Sequence, residues 1–132
     1  MDAVISLERY EIEKLLYSRI LDEHKDKQDD LQIELNVYLT EDKKKGKVAI
    51  SAEYTDVDSI KMVSATINGY FEINVEADGE NYLATNGVAI LFPYLRSAIS
   101  MISTLDSDDA IVIPTYNVLN LLDNYEETQS PN

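Results

Sequence analysis

The residue types that could do chemistry are few in this chain and widely separated. The single histidine, His24, lies between Glu23 and Lys25 in the most highly charged stretch, which is typical of a solvated side chain rather than of a general base. One histidine and no cysteine exclude multi-histidine and cysteine-based metal sites. The acidic run 106–109 fails as a calcium loop, because position twelve is Asn117 rather than a glutamate. The sequence therefore predicts neither a catalytic centre nor a cofactor.

Tyrosine is the more informative residue type, with nine copies against two phenylalanines and no tryptophan. Its ring is apolar and its hydroxyl is polar, so it can line a groove that stays soluble when empty. Tyr38 and Tyr70 each fall on the polar face of a predicted strand. They are interpreted either as ordinary residues of a pleated surface or as the lining of a shallow site for an extended apolar peptide.

Composition narrows the class of protein. A chain of 132 residues that is 45% hydrophobic predicts one domain with a modest core, which we place at residues 1–125, followed by a disordered tail at 126–132. The net charge of −14 opposes binding to nucleic acid. The N-terminus contains acids before any apolar run, and no stretch reaches the ~18 apolar residues of a membrane span. We therefore expect a soluble, cytoplasmic protein without a signal peptide or membrane insertion.

Three segments alternate between apolar and polar residues with period two, which predicts half-buried strands. Residues 31–39 have apolar odd positions, and residues 47–54 have apolar even positions. A charged loop at 41–46 joins them, with Gly46 supplying the backbone angles of a hairpin. In the third strand, 62–75, Gly69 falls on the apolar face and indicates a bulge or a close approach. That face is formed by Val63, Ala65, Ile67, Phe71, Ile73 and Val75. Short loops between consecutive strands predict an antiparallel meander.

The N-terminal segment, residues 7–21, fits two conformations. The spacing of Leu16, Tyr17 and Ile20 is compatible with a helix face. Tyr10 and Ile12 alternate as in a strand, and a bulge at Leu15-Leu16 would then reset the phase. The residues alone leave helix and strand open.

After Gly79 the apolar period changes to steps of three and four, which predicts an amphipathic helix. Pro93 either lies in the first turn of this helix or kinks a longer helix that begins near Glu80. A last helix is predicted after Asn117, which would cap it. The apolar stripe of the first helix comprises Val88, Leu91, Phe92, Leu95, Ala98, Ile99, Ile102 and Leu105.

Three separated patches, in the same order, resemble the export chaperone family SecB. Ile90-Leu91-Phe92-Pro93-Tyr94 resembles the start of the family's long helix, Asn68-Gly69-Tyr70-Phe71-Glu72-Ile73 its last strand, and Ile113-Pro114-Thr115-Tyr116-Asn117 the link before its final helix. The similarity covers about residues 30–124. The resemblance implies an α+β fold, a four-stranded antiparallel β-sheet packed against two C-terminal helices, with a first strand from about Tyr10 to Leu21.

The resemblance also implies a function. It predicts an ATP-independent holdase, not an enzyme, that binds unfolded or non-native polypeptides such as preproteins for export and assembles as a dimer of dimers. The small side chains of Ser97, Ser100 and Ser103 would lie in the oligomer interface. The implied client groove, beside the link between the helices, comprises Met62, Phe92, Ile111, Ile113, Tyr116 and Leu122.

Two partners are compatible with the resemblance. SecB passes clients to the motor protein SecA through an acidic sheet face, which the resemblance places at Asp22, Glu23, Glu34 and Glu53, although Ser64 stands where the family has another acid. Relatives of SecB instead hold the antitoxin of a toxin–antitoxin pair. The alternative of a different class is a small α+β enzyme with a tyrosine-lined ligand cavity.

Overall fold

The computed structural model describes residues 3–19, 30–57, 60–106 and 110–113. Four strands form one antiparallel sheet in the order β1-β4-β3-β2, and helical segments follow in the chain. The predicted α+β architecture is confirmed, whereas the predicted last helix and the tail at 126–132 lie outside the described residues. The elements are β1 (Ile5–Arg19), β2 (Asp30–Leu39), β3 (Lys45–Asp56), β4 (Lys61–Ile73), α1 (Gly79–Tyr82), a π-helical turn (Leu83–Gly87) and α2 (Val88–Ile102).

The N-terminal segment is a strand, and it pairs with β4 along its whole length. The register shifts twice, between Leu7 and Arg9 and between Ile12 and Lys14. The bulge predicted at Leu15-Leu16 was therefore placed wrongly. Each shift inserts one extra residue and reverses the side-chain phase, which explains why β1 does not read as a simple alternating strand.

The loop between β2 and β3 turns at Lys43 rather than at Gly46. Lys43 adopts the left-handed conformation with φ 59°, and no described glycine has a positive φ. The prediction that Gly46 supplies the turn angles was wrong. Asp42 holds the turn instead, because its carboxylate accepts hydrogen bonds from the Thr40 hydroxyl (2.7 Å) and the Lys44 amide (3.0 Å). Gly46 is needed for space, since a Cβ there would overlap the side chain of Leu83.

The two faces of the sheet differ as the alternation predicts. On the helix-facing side, the apolar residues of β3 and β4 are buried under α2, and Gly69 admits Leu91 to within 2.9 Å of where a Cβ would stand. Gly69 therefore permits the close approach of Leu91 and does not mark a bulge, because the β3–β4 register does not shift. The other side, called here the open face, carries mostly polar residues. The buried apolar residues of β3 and β4 are Val48, Ile50, Ala52, Val63, Ala65, Ile67, Phe71 and Ile73.

Helical backbone begins at Gly79 and continues through α1, the π-helical turn and α2 to Ile102. Pro93 therefore lies inside the helix and not in its first turn. The longer-helix alternative, with a start near Glu80, is the one observed. The residues of α2 that face the sheet are Val88, Leu91, Phe92, Leu95, Ala98 and Ile99, and all are buried.

Candidate functional site

The end of α2 holds a short extended piece of the same chain. The main-chain N–H of Ile111 donates to Ser103 Oγ at 2.7 Å, and Ser100 Oγ donates to the main-chain oxygen of Ile111 at 2.9 Å. Ser103 Oγ in turn donates to the main-chain oxygen of Ser100 at 2.9 Å. Two helix serines thus satisfy both polar main-chain groups of Ile111, which lets its backbone lie in an apolar environment.

A buried lysine completes the end of α2. Lys61 is 1% exposed, and its Nζ donates to the main-chain oxygen of Ser103 at 3.0 Å. A cation at the C-terminal end of a helix interacts favourably with the helix dipole and with otherwise unpaired carbonyl groups. The start of β4 and the end of α2 are therefore joined at one point.

The predicted client groove does not lie on one side of the described chain. Phe92, Ile111 and Ile113 belong to the buried core. Met62 is 39% exposed and lies on the open face, because its neighbour Val63 points into the core. Tyr116 and Leu122 lie outside the described residues. Three other apolar side chains face outward at this end of the helix layer, here called the link surface: Met101 (63% exposed), Leu105 (76%) and Val112 (61%).

Only one of the three predicted interface serines is exposed. Ser97 faces outward, whereas Ser100 and Ser103 bond to the chain's own residues. Ser97 lies in an exposed stripe with Ile90 and Tyr94, which precede it by seven and three residues on the same helix.

Two residues of β1 extend this stripe onto the sheet edge. The rings of Tyr10 and Tyr94 stack with centroids 4.4 Å apart at 25°, and Ile12 lies two residues beyond Tyr10 and is also exposed. An exposed apolar patch of this kind is typical of an interaction site. Its residues, named here the β1–α2 surface, are Tyr10, Ile12, Ile90, Tyr94 and Ser97.

The two predicted acids that the structure describes lie together on the open face. Glu34 on β2 and Glu53 on β3 line one shallow depression of about 320 Å³, with Lys14 and Ser64 beside them. Both carboxylates are exposed. Asp22 and Glu23, the other two predicted acids, lie outside the described residues.

Two tyrosine–carboxylate pairs occur on the surface. Tyr70 donates to Glu11 Oε1 at 2.6 Å, and Tyr17 donates to Asp106 Oδ1 at 2.7 Å. The hydrogen bond from Tyr70 holds the pKa of Glu11 below its ordinary value, with Arg9 acting in the same direction. The same bond raises the pKa of Tyr70.

These pairs join strands and helix ends rather than lining an enclosed pocket. Within the described ranges, no three acidic, histidine or cysteine side chains are grouped to hold a metal ion. Nor does that part of the chain contain a helix that is long and apolar enough to span a membrane.

Sequence reasoning missed three features that have readable signals. Val112 alternates with Ile111 and Ile113, so if those two are buried, Val112 must face outward. Met62 precedes the inward-facing Val63 and could have been assigned to the open face by the same rule. Ile90 and Tyr94 fall outside the apolar stripe of α2, which marks them as exposed hydrophobic residues.

Comparison with solved structures places this fold among known proteins. A SecB-like chaperone from Mycobacterium tuberculosis, solved in complex with a ChAD peptide from the HigA1 antitoxin, superimposes with a TM-score of 0.65 over 86% of this chain and 91% of that chain. The fold is SecB-like. Sequence identity in this comparison is 15%. A protein of unknown function from Streptococcus agalactiae has a TM-score of 0.53 at 13% identity, over 83% of this chain and 95% of that chain.

Sequence comparison adds a relative without assigning a family. No family model matches the chain. An uncharacterised protein from Methanocaldococcus jannaschii is 35% identical over 72 residues, which are 53% of this chain and 46% of that protein. The match therefore spans less than half the length of that relative.

Proposed function

We propose that this protein is an ATP-independent holdase chaperone that binds unfolded or non-native polypeptides. The observation that carries the proposal is the structural likeness, over nearly the whole of both chains, to a SecB-like chaperone solved with a peptide bound. The exposed apolar side chains at the end of α2 support it, because a holdase must present such side chains to water while it is empty.

We propose that clients bind at the link surface. Met101, Leu105 and Val112 offer apolar area without a defined pocket. Burial of apolar area contributes about 25 cal/mol per Å² irrespective of client sequence, before the entropic cost of association is subtracted. The buried layer that positions Val112 comprises Phe92, Ile111 and Ile113. Many moderate contacts of this kind favour extended, unfolded chains over folded ones.

We propose that the protein assembles into a dimer of dimers and that the β1–α2 surface forms one of its two interfaces. Its apolar stripe lies on the helix side of the sheet, and Ser97 is a small exposed residue that would let a second helix approach closely. The stacked Tyr10 and Tyr94 rings supply the kind of large, rigid contact area that protein interfaces favour.

A more specialised function, the dedicated chaperone of an antitoxin, is favoured by the peptide in the mycobacterial complex. A general export function, with a SecA-like motor as partner, is favoured by the grouping of Glu34 and Glu53 on the open face. The two differ in client range. A dedicated chaperone protects one partner, whereas an export chaperone protects many unfolded preproteins.

The first experiment is suppression of aggregation. The purified full chain is mixed, without nucleotide, with several clients diluted from denaturant, and light scattering is followed. We expect scattering to be suppressed, and failure with every client would reject the holdase function. The double variant Leu105→Glu/Val112→Glu should lose suppression. Leu16→Glu changes an exposed apolar residue on the open face and should retain it.

The second experiment tests assembly and client range. Size exclusion coupled to light scattering should give a particle near four times 14.9 kDa, and Tyr94→Asp should reduce its mass. Unchanged mass in this variant would remove the β1–α2 surface from the interface. Protection of a single antitoxin, with no effect on other unfolded chains, would favour the dedicated chaperone over the export chaperone.

A further inference from the structure

A row of alternating cations and tyrosines crosses all four strands on the open face. Strand pairing aligns Arg9 with Tyr70, Tyr70 with Lys47, and Lys47 with Tyr38. The guanidinium carbon of Arg9 lies 4.0 Å from the centre of the Tyr70 ring, and Lys47 Nζ lies 5.4 Å from the centre of the Tyr38 ring. These are cation–π distances. We call Arg9, Tyr70, Lys47 and Tyr38 the cation–tyrosine row.

The row is held in place before any ligand binds. Tyr70 and Arg9 both donate to the carboxylate of Glu11, at 2.6 and 3.3 Å, so their side chains form a closed triangle with it. Arg9 has further N–H donors that Glu11 does not use. The guanidinium plane and the ring beneath it therefore form a preorganised platform with free donor positions at its edge.

Lys47 is the cation in the row without a carboxylate. Arg9 pairs with Glu11, Arg19 with Asp106 and Lys45 with Glu8, and Lys47 takes part in none of these three ion pairs. The chain has 25 acids and 11 basic residues, so a half-buried lysine with two rings beside it and no anion is notable. Five of the eleven, Arg9, Lys43, Lys44, Lys45 and Lys47, lie at this end of the sheet.

A depression of about 490 Å³ lies over the row. Its walls include Arg9, Tyr38, Thr40, Lys47 and Tyr70. Glu8 also borders it, but its carboxylate is paired with Lys45 at 3.5 Å. The depression thus combines the rings of Tyr38 and Tyr70 with three cations, Arg9, Lys45 and Lys47. Arg9 and Lys45 are paired with glutamates, and Lys47 is in neither pair.

We propose that the cation–tyrosine row is a docking site for an acidic peptide segment in which two carboxylates, three residues apart, flank apolar side chains. Arg9 and Lys47 are two strands apart, which is roughly 10 Å. In an extended polyproline II-like peptide, residues three apart share one face and are separated by about 9 Å. One carboxylate would meet Arg9, the other Lys47, and the residues between them would lie against the edge of the Tyr70 ring, because Arg9 covers its face.

The arrangement favours a peptide over a small anion or a nucleic acid. A phosphate-sized anion requires donors that converge on one point, whereas these cations are spread along a line. Nucleic acid requires a surplus of positive charge, and the acids Glu8, Glu11 and Glu72 stand close to the row. The site lies on the sheet face opposite to the link surface, so its occupation is independent of client binding by the proposed holdase.

The test uses the full chain and a labelled peptide, acetyl-Gly-Glu-Phe-Leu-Glu-Gly-amide. We expect amide shifts in two-dimensional NMR at the four row positions, and affinity that falls with added salt. A peptide with glutamine at both acidic positions, and one with the acids adjacent (Glu-Glu-Phe-Leu), should bind more weakly. Binding of inorganic phosphate and of a short oligothymidylate is compared with binding of the labelled peptide at equal charge.

Lys47→Gln should weaken the labelled peptide about tenfold, as expected for loss of a charge-assisted contact, and Lys47→Arg should restore binding. Lys44→Gln removes the same charge from the neighbouring turn and should change affinity by less than about twofold. Four results would each overturn the proposal. The first two are an equal loss of affinity in Lys47→Gln and Lys44→Gln, and equal binding of the glutamine and glutamate peptides. The other two are preferred binding of phosphate or oligothymidylate at the row, and amide shifts confined to the helix side of the sheet. Lys47→Gln is also assayed for suppression of client aggregation, so that loss of peptide binding is distinguished from loss of the proposed holdase function.

Discussion

The hydroxyl of Tyr17 donates a 2.7 Å hydrogen bond to the carboxylate of Asp106, which lies 89 positions later in the chain. Arg19 donates to the other oxygen of the same carboxylate at 3.2 and 3.3 Å. Tyr17 and Arg19 lie near the end of β1, and Asp106 follows the C-terminal end of α2. This contact therefore joins the edge of the sheet to the segment that carries the link surface.

The Tyr17–Asp106 contact should make stability depend on pH at both ends of the scale. The bond lowers the pKa of Asp106, so its contribution is present above the ordinary aspartate pKa and is lost as pH falls through the lowered value. It raises the pKa of Tyr17, so its contribution is present below pH ~10 and is lost as pH rises further. Urea unfolding of the wild type and of Tyr17→Phe, from pH 3 to pH 11, should differ most between about pH 4 and pH 10.

The effect should be small, since Asp106 is exposed to solvent and its ions and Tyr17 is only half-buried. Tyr82→Phe removes a hydroxyl from a half-buried tyrosine of α1 and serves as the control, with a profile parallel to the wild type. The Tyr70–Glu11 pair retains the same kind of pH dependence in all three proteins. If the free energies of unfolding of wild type and Tyr17→Phe differ by the same amount at every pH, the Tyr17–Asp106 bond does not cause the pH dependence.

Ser103→Ala should destabilise the protein by roughly 1–3 kcal/mol, because the buried N–H of Ile111 would lose its acceptor. The free energy of unfolding in urea measures the change. Hydrogen exchange gives a local signature, since the Ile111 amide should exchange faster in the variant. Ser97→Ala is the matched control on the exposed side of the same helix and should have nearly wild-type stability. Unchanged protection of the Ile111 amide would show that Ser103 does not hold this segment.

Local sequence patterns predicted most of the sheet, and two of the failures, the bulge of β1 and the serines of α2, have a common physical cause. The faces of β3 and β4 follow from period-two alternation, because one side of each strand is buried. The single bulge predicted for β1 was misplaced because a bulge depends on the register with β4, which is distant in the chain. For the same reason Ser100 and Ser103 were assigned to an intermolecular interface. A small polar residue on a helix has the same pattern whether it faces a second molecule or Ile111 of its own chain.

Leu95→Ala and Leu105→Ala offer a matched test of where the core ends. Leu95 is buried in α2, whereas Leu105 belongs to the exposed link surface. Removal of buried methyl groups should cost Leu95→Ala about 2–5 kcal/mol of unfolding free energy, and Leu105→Ala should stay within about 0.5 kcal/mol of the wild type. Chemical denaturation measures both. Similar losses in the two variants would place Leu105 in the core and remove it from the proposed client surface.

Gly69→Ala should overpack the contact between β4 and α2. A Cβ at this position would stand 2.9 and 3.0 Å from the two methyl carbons of Leu91, and 3.0 Å from the Phe71 ring. Insertion of a methyl group into a filled core costs roughly 1–3 kcal/mol, which denaturant unfolding would detect. Leu91→Ala alone should also destabilise, because it leaves a cavity. The double variant Gly69→Ala/Leu91→Ala should be more stable than the sum of the two losses predicts, since the added methyl group enters the space that Leu91 vacates. Strictly additive losses would mean that the missing Cβ of Gly69 is not what admits Leu91 to the sheet.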